Sequence, residues 1–293
     1  MGFEFEIMQL VQFLALYGEK LWDTVFIFFT FLAEESFLLI AVFIIYWCIN
    51  KKLGEYILLS MYVTLSSNGI IKDLVRRPRP FLTTGYEEIR YIKVDHFLVN
   101  TVKLDTSFSF PSGHSQCAGS FYTALMFWIK KKWAYVAFPI LILGIMTSRV
   151  YLGVHFPTDV LFGALLGILS SIISWWLFNK YYQKRLCVLA VAVAISSLGL
   201  LIVPSSDTVK TIGVGVGAVV GLFLDDRYLH SDVAKSMKTR IIRLVIGLTI
   251  VLIFKSGLKV IFPSNLLFDG LRYFFVGITA TGLVPFIFKK LKI

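Results

Sequence analysis

Read for hydrophobic and polar positions, the chain is a series of long apolar stretches separated by short polar connections. The stretches lie near 37–50, 55–71, 113–129, 133–150, 158–178, 186–203, 209–224, 242–262 and 270–288. A membrane-spanning helix needs about 20 mostly apolar residues, so this pattern predicts nine spans. An earlier stretch, 22–33, is shorter, begins with Asp23 and follows an amphipathic segment at 7–18. It reads as an interfacial helix; if it crosses, the count becomes ten. Glu4 and Glu6 stand where a cleavable signal peptide would carry its basic residues, so the first true span is expected to direct insertion itself. No internal repeat or low-complexity linker divides the chain. The expected architecture is an all-α polytopic membrane helix bundle, one integral membrane domain over 1–293.

Composition agrees and narrows the class. Of 293 residues, 57% are hydrophobic and 16% charged, against about 45–50% and about 25% in soluble globular chains. An ordinary soluble domain, a disordered chain and a fibrous repeat are all excluded. Cys48, Cys117 and Cys187 lie in or beside apolar runs and form no CxxC pair, which excludes a disulfide framework or a zinc site. Gly213, Gly215, Gly217 and Gly221 superficially resemble a nucleotide loop, yet they lie inside an apolar stretch with no following lysine. The four-residue spacing of Gly213, Gly217 and Gly221, like that of Gly163 and Gly167, points to close helix packing.

The net charge of +11 has a distribution that matters more than its size. Sixteen of the 29 basic residues fall in alternate connections: at Lys51 and Lys52, at 130–132, at 180–185, at 227–243 and at 289–292. By the positive-inside rule that side is cytoplasmic, and the C-terminus with it. The connection 72–110 breaks the rule, since it lies on the opposite side and still holds Lys72, Arg76, Arg77, Arg79, Arg90, Lys93 and Lys103. Basic residues scattered over short loops form no groove for nucleic acid.

Three polar clusters gather on that outer side. Lys72 is followed, after six intervening residues, by Arg79-Pro80; Pro111-Ser112-Gly113-His114 opens an apolar stretch; and Ser148-Arg149, His155 and Asp159 flank a short connection. Lys72, Arg79 and Arg149 supply a point charge and two planar forks suited to phosphoryl oxygens. Ser112 and the Gly113 backbone sit at a helix start, where free N–H groups favour an anion. His155 and Asp159 are four apart and share a helical face, so the carboxylate can orient one ring nitrogen and leave the other as a nucleophile. His114 can serve as acid and then base. Taken singly, each cation could be a snorkelling anchor, Ser112 a helix cap and Asp159 a complement to the helix dipole. Together they form a costly cluster of ionisable groups at a membrane boundary, which is normally functional. No acidic cluster near them suggests a divalent cation, so neither metal nor other cofactor is expected.

These eleven fixed positions, in this order, resemble the three-part signature of the type 2 phosphatidic acid phosphatase superfamily over roughly residues 20–178. The resemblance implies a metal-independent phosphatase in which His155 is the nucleophile, Asp159 orients it and His114 is the acid and base. Lys72, Arg79, Ser112, Gly113 and Arg149 would bind phosphate. It also implies a six-helix phosphatase core, here followed over 179–293 by about four further spans. That layout is similar to glucose-6-phosphatases and sphingosine-1-phosphate phosphatases. The expected substrate is a lipid phosphate or diphosphate such as phosphatidic acid, phosphatidylglycerophosphate or a polyprenyl pyrophosphate, cleaved at the non-cytoplasmic face of the cell membrane. A sugar phosphatase, a phosphoryl transferase and an anion transporter stand as alternatives. Arg76 and Arg77 are available for a second phosphate or anionic headgroups, or as anchors. Phe81, Tyr86, Tyr91, Phe97, Phe108 and Phe110 are enough to form an interfacial lid, which favours a lipid.

Overall fold

A computed structural model of the protein describes residues 2–92 and 107–293. Among them all regular structure is helical, with no strand, as the all-α reading expects. Lys93, Phe97 and Lys103 lie outside the described residues.

The chain opens with α1 (Phe3–Gln12), a tight turn to Tyr17, and α2 (Glu19–Phe31). Between them Gly18 has φ +136°, a conformation that favours glycine. Then come α3 (Glu35–Ile44), which ends in a π-helical turn at Ile49, and α4 (Lys51–Val75). After the long connection follow α5 (Gly113–Ile129), α6 (Ala134–Tyr151) and α7 (Pro157–Lys180). The remainder is α8 (Arg185–Leu198), α9 (Ser206–Leu224), α10 (Met237–Ile261), α11 (Leu266–Ile278) and α12 (Val284–Lys290). Several starts are written in the sequence as N-caps: Ser112, Ser205, Ser236 and Asn265 each accept a hydrogen bond from the backbone three residues on.

The expected count of nine or ten spans is not confirmed. Among the described residues six helical stretches are long and apolar enough to cross a membrane: Ala134–Tyr151, Pro157–Lys180, Tyr182–Leu201, Ser206–Leu229, Met237–Ile261 and Leu266–Lys290. A seventh arises if α2 and α3, bent by 49° at their junction, cross as one broken span. The stretches at 55–71 and 113–129 fall short for a physical reason. α4 is long enough, but its middle carries Glu55, Ser60, Thr64, Ser66, Ser67 and Asn68, and it buries Glu55, Ser60 and Thr64. α5 has 17 residues and buries Ser115, Gln116, Ser120 and Thr123. A helix that turns polar groups toward protein need not look like one bathed in lipid.

Two compact units emerge, one of residues 1–39 and 71–173, the other of 40–70 and 174–293. In the first, α5 and α7 cross at glycines. A Cβ on Gly163 would lie 2.6 Å from the Ser112 carbonyl oxygen, and one on Gly167 would lie 2.0 Å from that of Gln116. α1 buries Phe5 and Met8 among Ile89, Val150, Phe156 and Val160, while α2 sets Phe26 against Tyr151, Leu152 and Val154.

In the second unit α9 lies along α11. A Cβ on Gly213 or Gly217 would meet the carbonyl oxygen of Gly270 at 2.3 Å or of Phe274 at 2.1 Å. The glycine series is a packing face, as its spacing suggests. Lys51 pairs with buried Asp225, and Arg185 bridges Glu55 and Asp226. Two cations read as topology signals therefore also neutralise carboxylates that would be costly to bury alone.

Candidate active site

The site is built in the first unit, where α6 ends and α7 begins. The chain turns at Gly153, whose φ of +72° suits glycine and whose added Cβ would sit 2.4 Å from the Arg90 carbonyl oxygen. The Val154 amide then donates to the Arg149 carbonyl at 3.3 Å, and α7 starts at Pro157. This tight return brings His155 and Asp159 into the interior at 2% and 0% exposure.

Asp159 is held on every side. Its Oδ1 accepts from Arg77 Nη1 at 2.8 Å, and its Oδ2 accepts from the Phe156 amide at 2.9 Å and the Ser109 hydroxyl at 2.5 Å. Its backbone carbonyl accepts from the Ser112 amide at 3.0 Å, which ties the start of α5 to the first turn of α7. His155 Nδ1 stands 3.7 Å from Asp159 Oδ2 and 3.3 Å from Ser109 Oγ. On the other edge of the ring, Nε2 lies 3.5 Å from Arg79 Nη1. A guanidinium only donates, so this network assigns Nε2 as the acceptor and the ring proton to Nδ1.

The expected phosphate ligands are placed as follows. Arg79, 2% exposed, donates to the Val154 carbonyl at 3.0 Å and to the carbonyl and hydroxyl of Ser107 at 2.9 and 2.8 Å. Arg149, in the last turn of α6, donates to Thr30 of α2 at 3.4 Å. Ser112 is buried as the N-cap of α5, and Gly113 and His114 are its first helical residues, half-buried. Their amides have no carbonyl one turn back to bond within the helix. Lys72 is in the last turn of α4, near enough to Cys117 of α5 for its charge to act on that thiol.

One expectation is corrected. Arg77 is not held in reserve for a second phosphate, because it donates to Asp159, to Thr158 Oγ1 at 2.7 Å and to Glu4 at 2.6 Å. Its guanidinium also lies 3.8 Å from the Phe156 ring centre. Four aromatic side chains of the connection make ring contacts among the described residues. Tyr86 meets Phe5 and Phe156 edge-on, Phe81 contacts Tyr91, and Phe110 contacts Phe162. Burial, with Glu4 beside it, pushes the Tyr86 phenol above its ordinary value, and Arg77 opposes the shift. Arg90, another cation of this connection, pairs with Glu19 and Asp23.

Glu4, Ser109 and Thr158 are not among the expected site residues, and Arg77 is expected there only for a second phosphate, headgroups or an anchor; the fold supplies their partners. Among the described residues no group of three or more His, Cys, Asp and Glu side chains is placed to hold a metal ion.

The PAP2 superfamily matches residues 52–183, and the transmembrane extension of PAP2 superfamily phosphatases matches residues 209–293. The chain is 33% identical to phosphatidylglycerophosphatase B of Bacillus subtilis, over 35% of this chain and 46% of that protein. It is 27% identical to phosphatidylglycerophosphatase B of Escherichia coli, over 48% and 66%. It is 31% identical to the putative undecaprenyl-diphosphatase YbjG of Escherichia coli, over 50% and 70%. The chain thus spans less than two thirds of the length of either phosphatidylglycerophosphatase. No solved structure matches it.

Proposed function

The chain belongs to the PAP2 superfamily, and from that premise we propose that it is a membrane phosphatase cleaving a lipid phosphomonoester or diphosphate through a phosphohistidine on His155. The observation that carries the reading is the polarity of the buried imidazole. Nδ1 is backed by Ser109 and Asp159, and Nε2 faces Arg79. A phosphoryl group held by Arg79, with Lys72, Arg149 and the first amides of α5 around it, lies within reach of the Nε2 lone pair.

In the first step Nε2 attacks phosphorus, the ester P–O bond breaks, and His114 gives its proton to the leaving oxygen. In the second, His114 takes a proton from water, the hydroxide oxygen bonds to phosphorus, and the N–P bond breaks to release phosphate and restore His155. The relatives' names, phosphatidylglycerophosphatase and undecaprenyl-diphosphatase, favour a lipid carrier, as does a multi-pass protein rich in apolar helices. By the positive-inside rule this chemistry occurs at the non-cytoplasmic face, with 1–293 as one membrane domain and the C-terminus in the cytoplasm.

Phosphate release by purified protein across phosphatidic acid, phosphatidylglycerophosphate, undecaprenyl pyrophosphate, sphingosine-1-phosphate and glucose-6-phosphate tests the reading. Lipid substrates are expected to be preferred, and a steep preference for glucose-6-phosphate would overturn the lipid assignment. His155→Ala is expected to abolish release while leaving ligand binding intact. Retained release would sink the phosphohistidine, and undiminished transport of an anion by that variant would favour a transporter.

A further inference from the structure

We propose that Ser109 is a positioning residue of this site: its hydroxyl, rather than a direct contact, couples Asp159 to the His155 imidazole. The inference rests on the phosphatase reading for its kinetic meaning, though not for its geometry.

The argument is one of counting lone pairs. A carboxylate oxygen accepts about two hydrogen bonds in its plane. Oδ2 of Asp159, the carboxylate oxygen nearer the ring, already accepts from the Phe156 amide and from Ser109 Oγ, and Oδ1 accepts from Arg77. His155 Nδ1 stands 3.7 Å from Oδ2, beyond hydrogen-bond range, but 3.3 Å from Ser109 Oγ. A serine hydroxyl has one proton and two lone pairs. The proton goes to Asp159, so a lone pair is left to accept the Nδ1–H. The hydroxyl thus relays the carboxylate's charge to the ring and fixes the tautomer in which Nε2 carries the lone pair that attacks. No proton changes owner in this relay.

The placement is over-determined, which separates it from a chance contact. Ser109 is wholly buried, and its amide donates to the Arg77 carbonyl at 2.8 Å. Two residues earlier, Ser107 accepts from the Arg79 side chain through both carbonyl and hydroxyl. The segment 107–109 is therefore strapped to 77–79. Arg77 holds the serine through its main chain and the aspartate through its side chain. Being enclosed and committed to Asp159, the hydroxyl is not offered to substrate, so a role as nucleophile or phosphate ligand does not compete.

The test compares Ser109→Ala and Ser109→Cys with the unaltered protein in detergent. It reads kcat and KM separately, the pH dependence of kcat/KM, and the His155 titration by 15N-histidine NMR, assigned with His155→Gln. Ser109→Ala is expected to lower kcat at least about tenfold with KM changed little, as for loss of an orienting partner to a catalytic imidazole. The acidic limb of the profile and the NMR titration should both move to lower pH, because the imidazolium loses its link to the carboxylate. A purely structural serine would not move either titration. Ser109→Cys keeps the volume and weakens the hydrogen bond, so it is expected to fall between the two, and it decides the matter if the alanine variant does not fold. Unchanged kcat and unchanged titration in a folded variant, or a rise confined to KM, would overturn the relay. Absence of turnover in the unaltered protein on every substrate would overturn the phosphatase reading instead, and the NMR shift would still judge Ser109.

Discussion

Asp159 illustrates how a single side chain changes meaning once its neighbours are known. In sequence it is the fourth residue after His155 and orients it. In the fold it is also the buried end of an ion pair with Arg77, which reaches on to Glu4 of α1. Removing one member of a buried pair leaves the other charge uncompensated, a loss of about 3–5 kcal/mol where both partners are enclosed. Arg77 is partly exposed, so its removal should cost less. Arg77→Met is accordingly expected to lower the melting temperature and reduce kcat by more than it alters KM, whereas Glu4→Gln, at the outer end, should have a smaller effect on both. Steady-state kinetics and thermal melting in detergent measure these directions. Equal effects of the two substitutions on kcat would show that the pair acts only as a staple for α1. The nearness of His155 to Asp159 was suggested by spacing, but not for the reason of a shared helical face: His155 precedes α7, which begins at Pro157, and the turn at Gly153 brings the two side chains together. The roles of Arg77 and Ser109 were not legible, because their partners lie far away in sequence and hydrogen bonds carry no linear signature.

At the scale of elements, the glycines divide into those in contact and those that are not. Gly167 and Gly217 each face a carbonyl oxygen that an added Cβ would approach to about 2 Å, inside any permissible contact. Gly167→Ala and Gly217→Ala should each destabilise the protein by about 1–3 kcal/mol through forced separation of the helices. Gly257 of α10 has nothing within 4 Å of its added Cβ, so Gly257→Ala should be neutral or stabilising by up to about 1 kcal/mol from helix propensity. Thermal melting of the three variants checks the contrast. A loss of stability at Gly257 as large as at Gly217 would mean that helix contacts are not what the glycines serve. Four-residue spacing already pointed to this packing. The span count was less readable, since hydropathy measures the tolerance of a segment for lipid, and α4 and α5 turn much of their polarity toward protein.

For the whole molecule, two kinds of basic residue coexist. Those at 130–132 sit in a short connection and fit topology. Others, at Lys51, Arg77, Arg90 and Arg185, are spent on carboxylates. Cysteines placed singly at Lys131 and Glu88 should label from opposite sides of an intact membrane, Lys131 from the cytoplasmic side. Labelling of both from one side would overturn the assigned orientation. Activity is expected to follow a bell-shaped pH profile, because His155 must start neutral and His114 protonated. Phosphate release should also survive chelation, since the residues gathered at the site offer donors for phosphate and no carboxylate cage for a cation. A monotonic profile with chemistry rate-limiting, or full loss to chelator, would each count against the proposed division of roles.

The sequence by itself determined the helical, multi-pass membrane character of the chain and its superfamily, and it supplied the residues proposed here to bind phosphate. These depend on composition, hydropathy and spacing, which are properties of one dimension. Only the tertiary structure decided which cations face Asp159 and that a serine stands between Asp159 and His155. Those outcomes turn on which side chains meet across tens of residues of chain, and burial makes each such meeting obligatory by penalising any charge or donor left without one.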